Sequence, residues 1–170
     1  AFTVGGEVPC HMLRVDDPDG GETFAAGTST TVQWTRANTA GSLFVYFSPD
    51  AGATWNQQSG ALSATATSWC WTLPEEATNL GRVFVGEWDG SAWKATDTSD
   101  ADFNVQVFLL NGVARAGNLP AGAAQSRWDY YYFDLPAGTR LSTVEILGLS
   151  GDADLYVRKG SWPNLATYDC

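Results

Sequence analysis

The chain has 170 residues, enough for one large or two small domains, and 44% of them are hydrophobic, which argues against disorder. The net charge is −10 and only two residues are lysines, so nucleic acid and anionic membrane surfaces are disfavoured as partners. No stretch approaches the roughly 20 apolar residues of a membrane-spanning helix, and we expect any signal peptide to lie upstream or to have been removed. The 13% aromatic content and the 18 glycines favour an all-β protein.

Short runs of alternating apolar and polar residues recur between Gly, Pro, Asp and Asn, as in a β-sandwich. The first unit has seven predicted strands: His11–Val15, Thr30–Thr35, Leu43–Phe47, Trp69–Leu73, Arg82–Trp88, Ala92–Ala95 and Phe103–Val107. The second unit has three: Trp128–Leu135, Val144–Leu147 and Asp152–Arg158. The pattern therefore predicts two consecutive antiparallel β-sandwiches.

We place the first sandwich at residues 11–107 and the second at residues 108–170, where it ends early. Residues 1–10 form a leading segment. Its Ala1–Val4 stretch is similar to the closing strand near Phe103, so it is a candidate last strand of a preceding module.

The three cysteines lack metal-ligand spacing, and in an acidic β-rich chain they indicate disulfides in an oxidising compartment. We prefer a Cys10–Cys70 pair, which leaves Cys170 to bond outside this chain. His11 is the only histidine, so any Ser-His-Asp or Cys-His arrangement would have to use it. A surface histidine without a catalytic role is the favoured interpretation.

Residues 48–55 follow the pattern S-x-D-x-G-x-T-W, with Asp50, Gly52 and Trp55 at its fixed positions. This motif resembles the Asp box of secreted β-proteins, whose role is structural. The Asp50 carboxylate is expected to accept backbone N–H groups across a hairpin loop, above the Trp55 ring. The surrounding residues, 13–107, are similar to immunoglobulin-like modules of secreted bacterial hydrolases.

The blocks Asp129–Thr139 and Gly151–Arg158, followed by Pro163 and Tyr168-Asp169-Cys170, resemble the bacterial pre-peptidase C-terminal domain. That resemblance implies a small jelly-roll-like sandwich appended to secreted peptidases, with links to secretion, and to collagen and calcium in clostridial relatives. The sequence departs from the family pattern by stopping at Cys170. The missing strand would leave an unpaired sheet edge.

Several acidic residues are candidate ligands. Asp152 and Asp154 share one face of a predicted strand, where the resemblance implies a structural role at the turn. The densest acidic loop comprises Asp16, Asp17, Asp19 and Glu22. Calcium is the cation that such oxygens favour, although the spacing is not that of an EF-hand and a solvated turn is the alternative.

Strand alternation in the second unit predicts an outward tyrosine stripe of Tyr130, Tyr132 and Tyr156, opposite an inward apolar set. The inward set is Phe133, Leu135, Val144, Ile146, Leu155 and Val157. The stripe is a candidate platform for collagen or a polysaccharide, or a surface that covers a neighbouring domain.

The sequence therefore predicts a secreted, non-catalytic accessory region of a bacterial hydrolase, preferably a peptidase. Its role would be polymer binding or export. Two alternatives stay open: a structural subunit of an adhesin or filament completed by strand exchange, and a carbohydrate-binding module.

Overall fold

The computed structural model describes residues 10–115, 117, 130–140, 142–149, 151, 153–161 and 163–169. The described residues form ten β-strands and no helix, so none of them could cross a membrane as a helix. The strands are β1 Met12–Asp17, β2 Thr23–Ala25, β3 Ser29–Ala37, β4 Ser42–Ser48, β5 Asn56–Gln57, β6 Ser68–Thr72, β7 Thr78–Trp88, β8 Trp93–Thr98, β9 Phe103–Phe108 and β10 Tyr131–Tyr132. The protein is all-β, as predicted.

Two sheets form a β-sandwich. The smaller sheet has the antiparallel order β1-β3-β6. The larger sheet has seven strands in the order β10-β9-β7-β4-β5, with β8 paired to β7 and β2 paired to β9. Most neighbours are antiparallel, but β2 and β10 both run parallel to β9. Along β9, β2 pairs with Asn104–Gln106, and β10 pairs with Val107 and Phe108.

The core lies between the two sheets because alternate residues of each strand point inward. Its inward side chains, all below 10% exposed, are Leu13, Val15, Val32, Trp34, Leu43, Val45, Phe47, Trp71, Leu73, Val83, Val85, Phe103 and Val105. The two buried tryptophans keep their N–H groups bonded. Trp34 Nε1 donates to the Ala66 carbonyl at 2.9 Å, and Trp71 Nε1 donates to Gln58 Oε1 at 3.1 Å. A buried indole needs such a partner to avoid the cost of an unpaired donor.

All seven strands predicted for the first unit are confirmed, with ends shifted by a few residues. The sequence missed β2 and β5, which have three and two residues. Segments that short carry too little alternation to be recognised, and pairing with β9 and β4 is what makes them strands.

The predicted strands of the second unit are mostly wrong. Residues 128 and 129 of the predicted strand Trp128–Leu135 lie outside the described residues, and within the rest Tyr131–Tyr132 form a strand. Val144–Leu147 and the described part of Asp152–Arg158 are not strands. The side chains expected to point inward include Leu135, Ile146 and Leu155, which are 55%, 40% and 43% exposed. In these described residues, the apolar alternation has no opposing sheet to pack against.

The predicted Cys10–Cys70 disulfide is also wrong, because both thiols are free and exposed. Cys70 faces Thr31 on β3, whereas Cys10 lies beyond the other end of that strand, where its carbonyl accepts a bond from Asn38. The stretch of β3 from Thr31 to Ala37 is about 20 Å long, since a strand rises about 3.3 Å per residue. A disulfide requires Cα atoms within about 7 Å.

Candidate functional site

The tyrosine stripe is present only in part. Tyr132 is 37% exposed and packs edge-on against Phe108, with ring centroids 4.9 Å apart. Tyr130 is half-buried, and burial raises the pKa of its hydroxyl. Tyr156 is also half-buried and packs against Tyr168 at 5.0 Å. Tyr130 and Tyr156 lie outside the described strands, so a stripe of three outward rings stays a prediction.

A larger aromatic surface lies on the seven-stranded sheet, on the side away from the core. We call it the outer aromatic face, and it consists of Phe44, Tyr46, Trp55, Phe84, Trp88 and Trp93. Its rings come from β4, β7, β8 and the residue just before β5. They meet because Phe44 and Tyr46 are the register partners of Gly86 and Phe84.

Trp93 is the centre of this face. Its ring lies 5.5 Å from Phe84, 5.3 Å from Trp88, and 6.2 Å from both Phe44 and Tyr46, at interplanar angles between 69° and 87°. Such edge-to-face packing is favourable for aromatic pairs. Trp93 therefore has four neighbours that hold it, and it remains 41% exposed.

Gly86 provides the space in which Trp93 rests. A Cβ atom at Gly86 would lie 2.6 Å from Trp93 Cζ3 and 2.7 Å from Phe84 Cε1, closer than such atoms approach. The missing side chain thus lets the indole lie directly against the strand. The sequence alone places Phe44, Tyr46, Phe84 and Trp88 at outward positions of their strands. That Trp93 lies among these rings follows only from the β7–β8 register.

The outer aromatic face carries little net charge. Of the outward positions of β4 and β7, Arg82 is charged, and its Nε donates to Asp102 Oδ1 at 2.5 Å. At the other end, Lys94 pairs with Asp89 at 2.7 Å. Hydrogen bonds from Lys94 and from the Ala92 and Ser91 amides hold the pKa of Asp89 well below its usual range. Both charged groups of each pair are thereby neutralised.

His11 is not the isolated surface residue that the sequence indicated. Its Nδ1 lies 2.7 Å from Oε2 of Glu87, whose side chain is fully buried. Glu87 Oε1 accepts the backbone N–H groups of Ala40 and Gly41 at 2.6 and 2.7 Å. Burial alone would raise the pKa of Glu87, but the bonds from Gly41, Ala40 and His11 outweigh it and hold that pKa below its usual value.

The acidic loop uses its carboxylates to hold the chain together. Glu22 accepts the N–H groups of Asp19 and Gly20, both at 2.8 Å, and Asp19 accepts the N–H of Asp100 at 2.9 Å. Asp16 accepts bonds from Thr35 and Arg14, and the Thr35 bond is the main cause that lowers the pKa of Asp16.

Asp17, the fourth carboxylate of this loop, is partly shielded from water. Burial raises its pKa, and the nearby Glu22 charge adds to the rise. Across the described ranges, no three His, Cys, Asp or Glu side chains gather as a metal site. The predicted calcium loop of Asp16, Asp17, Asp19 and Glu22 is thus not assembled, because its carboxylates bind separate backbone and side-chain donors.

The 48–55 loop has the local bonding that the motif requires. Asp50 accepts the Thr54 N–H at 2.8 Å and the Thr54 hydroxyl at 2.7 Å. Ser48 Oγ donates to Asp50 Oδ1 at 2.8 Å and accepts the Gly52 N–H. Gly52 has φ of 91°, where a Cβ atom would also press on Trp55. This loop is a folding device by its contacts, although its membership of the Asp-box family stays a prediction.

Of the remaining predicted acidic pair, Asp154 is exposed, while Asp152 lies outside the described residues, as does Cys170. Their proposed roles, at the turn and in an external disulfide, stay predictions.

Known proteins resemble parts of this chain. A 62-residue stretch is 45% identical to alkaline serine exoprotease A of Vibrio alginolyticus, covering 36% of this chain and 11% of that protein. The chain thus spans about a tenth of the length of this curated relative. The solved fibronectin(III)-like modules of Clostridium thermocellum CbhA align with a TM-score of 0.42 and 13% identity, over 56% of this chain and 98% of theirs.

The C-terminal part of the chain gives the family match. Residues 128–170 match the model of the bacterial pre-peptidase C-terminal domain, the family that Asp129–Thr139 and Gly151–Arg158 predicted. The immunoglobulin-like module predicted for residues 13–107 is not confirmed. The end of the chain is therefore similar to the pre-peptidase C-terminal domain, and an all-β sandwich precedes it.

Proposed function

We propose that this chain is a non-catalytic accessory region of a secreted bacterial peptidase, and that it holds the enzyme against an extracellular polymer or assists its export. The observation that carries the proposal is the family match at residues 128–170, supported by 45% identity over 62 residues to a serine exoprotease. The acidic, lysine-poor composition suits an extracellular protein.

The environment of His11 supports a non-catalytic role. A histidine that is oriented by a carboxylate forms two members of a nucleophilic triad, and a hydroxyl or thiol on the second ring nitrogen would complete it. In the described part of the chain, the bonded partner of the His11 ring is Glu87. Glu87 in turn binds the Ala40 and Gly41 amides, so the pair joins the start of β1 to the β3–β4 connection. These contacts give it a structural task.

The proposal is tested on the natural secreted product. An antibody raised against this chain should capture from culture supernatant a larger polypeptide that contains peptidase-domain peptides by mass spectrometry. The captured product should clear casein in a zymogram, whereas the purified 170-residue chain should not hydrolyse fluorescent casein. Capture of a polypeptide without a hydrolase domain would overturn the proposal, as would casein hydrolysis by the chain alone.

A second candidate is a structural subunit completed by strand exchange. Exposed large apolar side chains in the C-terminal part favour it, including Leu147 at 76%, Leu165 at 64% and Leu149 at 53%. A solvent-exposed set of this kind is costly unless another chain or segment covers it. Light scattering with and without reductant distinguishes the two candidates. The structural subunit requires concentration-dependent oligomers, and the accessory region requires a monomer.

A further inference from the structure

We propose that the outer aromatic face binds a neutral polysaccharide, with a sugar ring stacked on Trp93. The inference rests on the proposed function in one respect: it names the polymer to which the accessory region would attach. It is carried by the geometry of the seven-stranded sheet and does not depend on the tyrosines of the C-terminal segment.

Trp93 has the properties of a stacking platform. The Cε3 and Cζ3 atoms of its ring lie against the strand at Gly86, where no Cβ atom intervenes, and 41% of the residue remains exposed. The C–H groups on one face of a pyranose ring pack well on such an indole, because they carry a small positive charge and the aromatic face is negative. An exposed tryptophan on a flat sheet thus offers apolar contact area of the right shape for a sugar.

The neighbours of Trp93 fix its position. Phe44, Phe84 and Trp88 meet it edge-on at 87°, 80° and 69°, and Tyr46 meets it at 79°. A ring held on several sides loses little conformational entropy when a ligand binds. Trp55 extends the face beyond Phe84, at 5.7 Å, so that contact with more than one sugar is available along a polymer.

The charge of the face selects a neutral partner. Arg82 is paired with Asp102 and Lys94 with Asp89, so the charged side chains that the described strands place beside these rings are paired. The chain as a whole carries −10, which repels anionic polymers.

Polar groups border the rings. Thr96 is exposed and lies opposite Gly86 in the β7–β8 register, and Gly86 is the residue against which the Trp93 ring lies. The Tyr46 hydroxyl donates to Gln57 Oε1 at 3.2 Å. Hydroxyl groups placed beside aromatic rings match the alternation of C–H faces and hydroxyls along a glycan.

The test uses the whole chain in sedimentation with insoluble cellulose and chitin as neutral glycans, chitosan as a cationic glycan, and insoluble collagen as a protein. We expect binding to a neutral glycan that changes less than about two-fold up to about 0.5 M NaCl, since stacking is not screened by salt. Trp93→Ala should weaken that binding about ten-fold, and Trp93→Phe less. Met12→Ala is the matched control, because Met12 is 45% exposed on the other sheet and should bind like wild type.

A second variant separates a loss of binding from a loss of folding. Thr96→Arg keeps every aromatic ring and places a long charged side chain beside Trp93, so it should also weaken binding about ten-fold while the thermal unfolding curve stays unchanged. Folded Trp93→Ala and Thr96→Arg proteins that bind like wild type would overturn the proposal. Binding to collagen or chitosan but to neither neutral glycan would overturn it too. Either result would leave the peptidase linkage intact, because the culture-supernatant experiment tests that linkage separately.

Discussion

Replacement of Glu87 by glutamine should destabilise the sandwich in a pH-dependent way. The Glu87 side chain is fully buried, yet it receives two backbone N–H groups, from Ala40 and Gly41, and contacts His11 at 2.7 Å. The carboxylate thus replaces water as the acceptor for the chain reversal between β3 and β4. A glutamine has nearly the same shape and keeps Oε1 as an acceptor, but it removes the negative charge.

The size of the effect follows from the strength of these bonds. A hydrogen bond to a charged group contributes about 1.5 kcal/mol or more, roughly twice the contribution of a neutral one. Glu87→Gln should therefore lower the free energy of unfolding by about 1.5 kcal/mol at neutral pH. Glu87→Ala, which removes the bonds from Ala40, Gly41 and His11, should lower it by about 3 kcal/mol. In urea, the glutamine variant should show a midpoint lower by about 1 M.

The pH dependence identifies the charge as the cause. The folded-state pKa of Glu87 is lowered from its usual 4.5, so the ionised carboxylate stabilises the fold above that value, and this contribution is lost as pH falls through the lowered pKa. The difference in stability between wild type and Glu87→Gln should therefore be full at pH 7 and shrink below about pH 4.5. Urea unfolding followed by tryptophan fluorescence at several pH values measures it.

Glu75→Gln is the matched control, because Glu75 is 72% exposed and its 3.5 Å contact with Arg115 is weak. It should change stability by less than about 0.5 kcal/mol. The reasoning is refuted if Glu87→Gln is as stable as wild type at pH 7, or if its deficit stays constant down to pH 3.5.

Three further predictions concern other parts of the sandwich. Gly20 has φ of 135° and a Cβ atom there would overlap Ala101, so Gly20→Ala should lower the free energy of unfolding in urea by about 3 kcal/mol. Gly90 also has positive φ but lies in open space, so Gly90→Ala should lower it by about 1 kcal/mol. Equal losses in the two variants would contradict this prediction. Asp50→Ala removes two bonds to Thr54 and should lower the free energy of unfolding by about 1–2 kcal/mol. An unchanged free energy of unfolding would mean that these two bonds do not stabilise the loop. Cys70 should react with a thiol reagent in the native protein. If it reacts only after reductant is added, the Cys10–Cys70 disulfide is present after all.

Strand alternation predicted the sandwich because a two-residue period of apolar side chains is enough to place one face of each strand in the core. Val32 and Trp34 alternate with the polar residues Thr31, Gln33 and Thr35, and both are nearly fully buried in the structure. The sequence could not supply the order of the strands. The Cys10–Cys70 pairing failed for that reason, since the two residues lie at opposite ends of the sheet on either side of β3.

Prediction of the outer aromatic face from the sequence would have required the strand register as well as the strand order. The sequence pointed to the stripe of Tyr130, Tyr132 and Tyr156, in a part of the chain where tyrosines are frequent. The outer aromatic face draws its rings from four separate stretches, and they meet only because β7 pairs with β4 on one side and β8 on the other. Gly86 gave no signal by itself, since a glycine in a strand has several meanings until the residue above it is known.

The C-terminal part shows what alternation alone cannot do. A period of two determines which side of a strand is apolar, but a strand exists only if a neighbour accepts and donates its backbone hydrogen bonds. Tyr131–Tyr132 becomes β10 because β9 offers free N–H groups beyond β2: Val107 donates to Tyr130 and Leu109 to Tyr132. Val144–Leu147 has the same alternation but no such neighbour among the described residues, and Leu147 stays 76% exposed. Pairing, and not periodicity, therefore decides where the second half of this chain becomes a sheet.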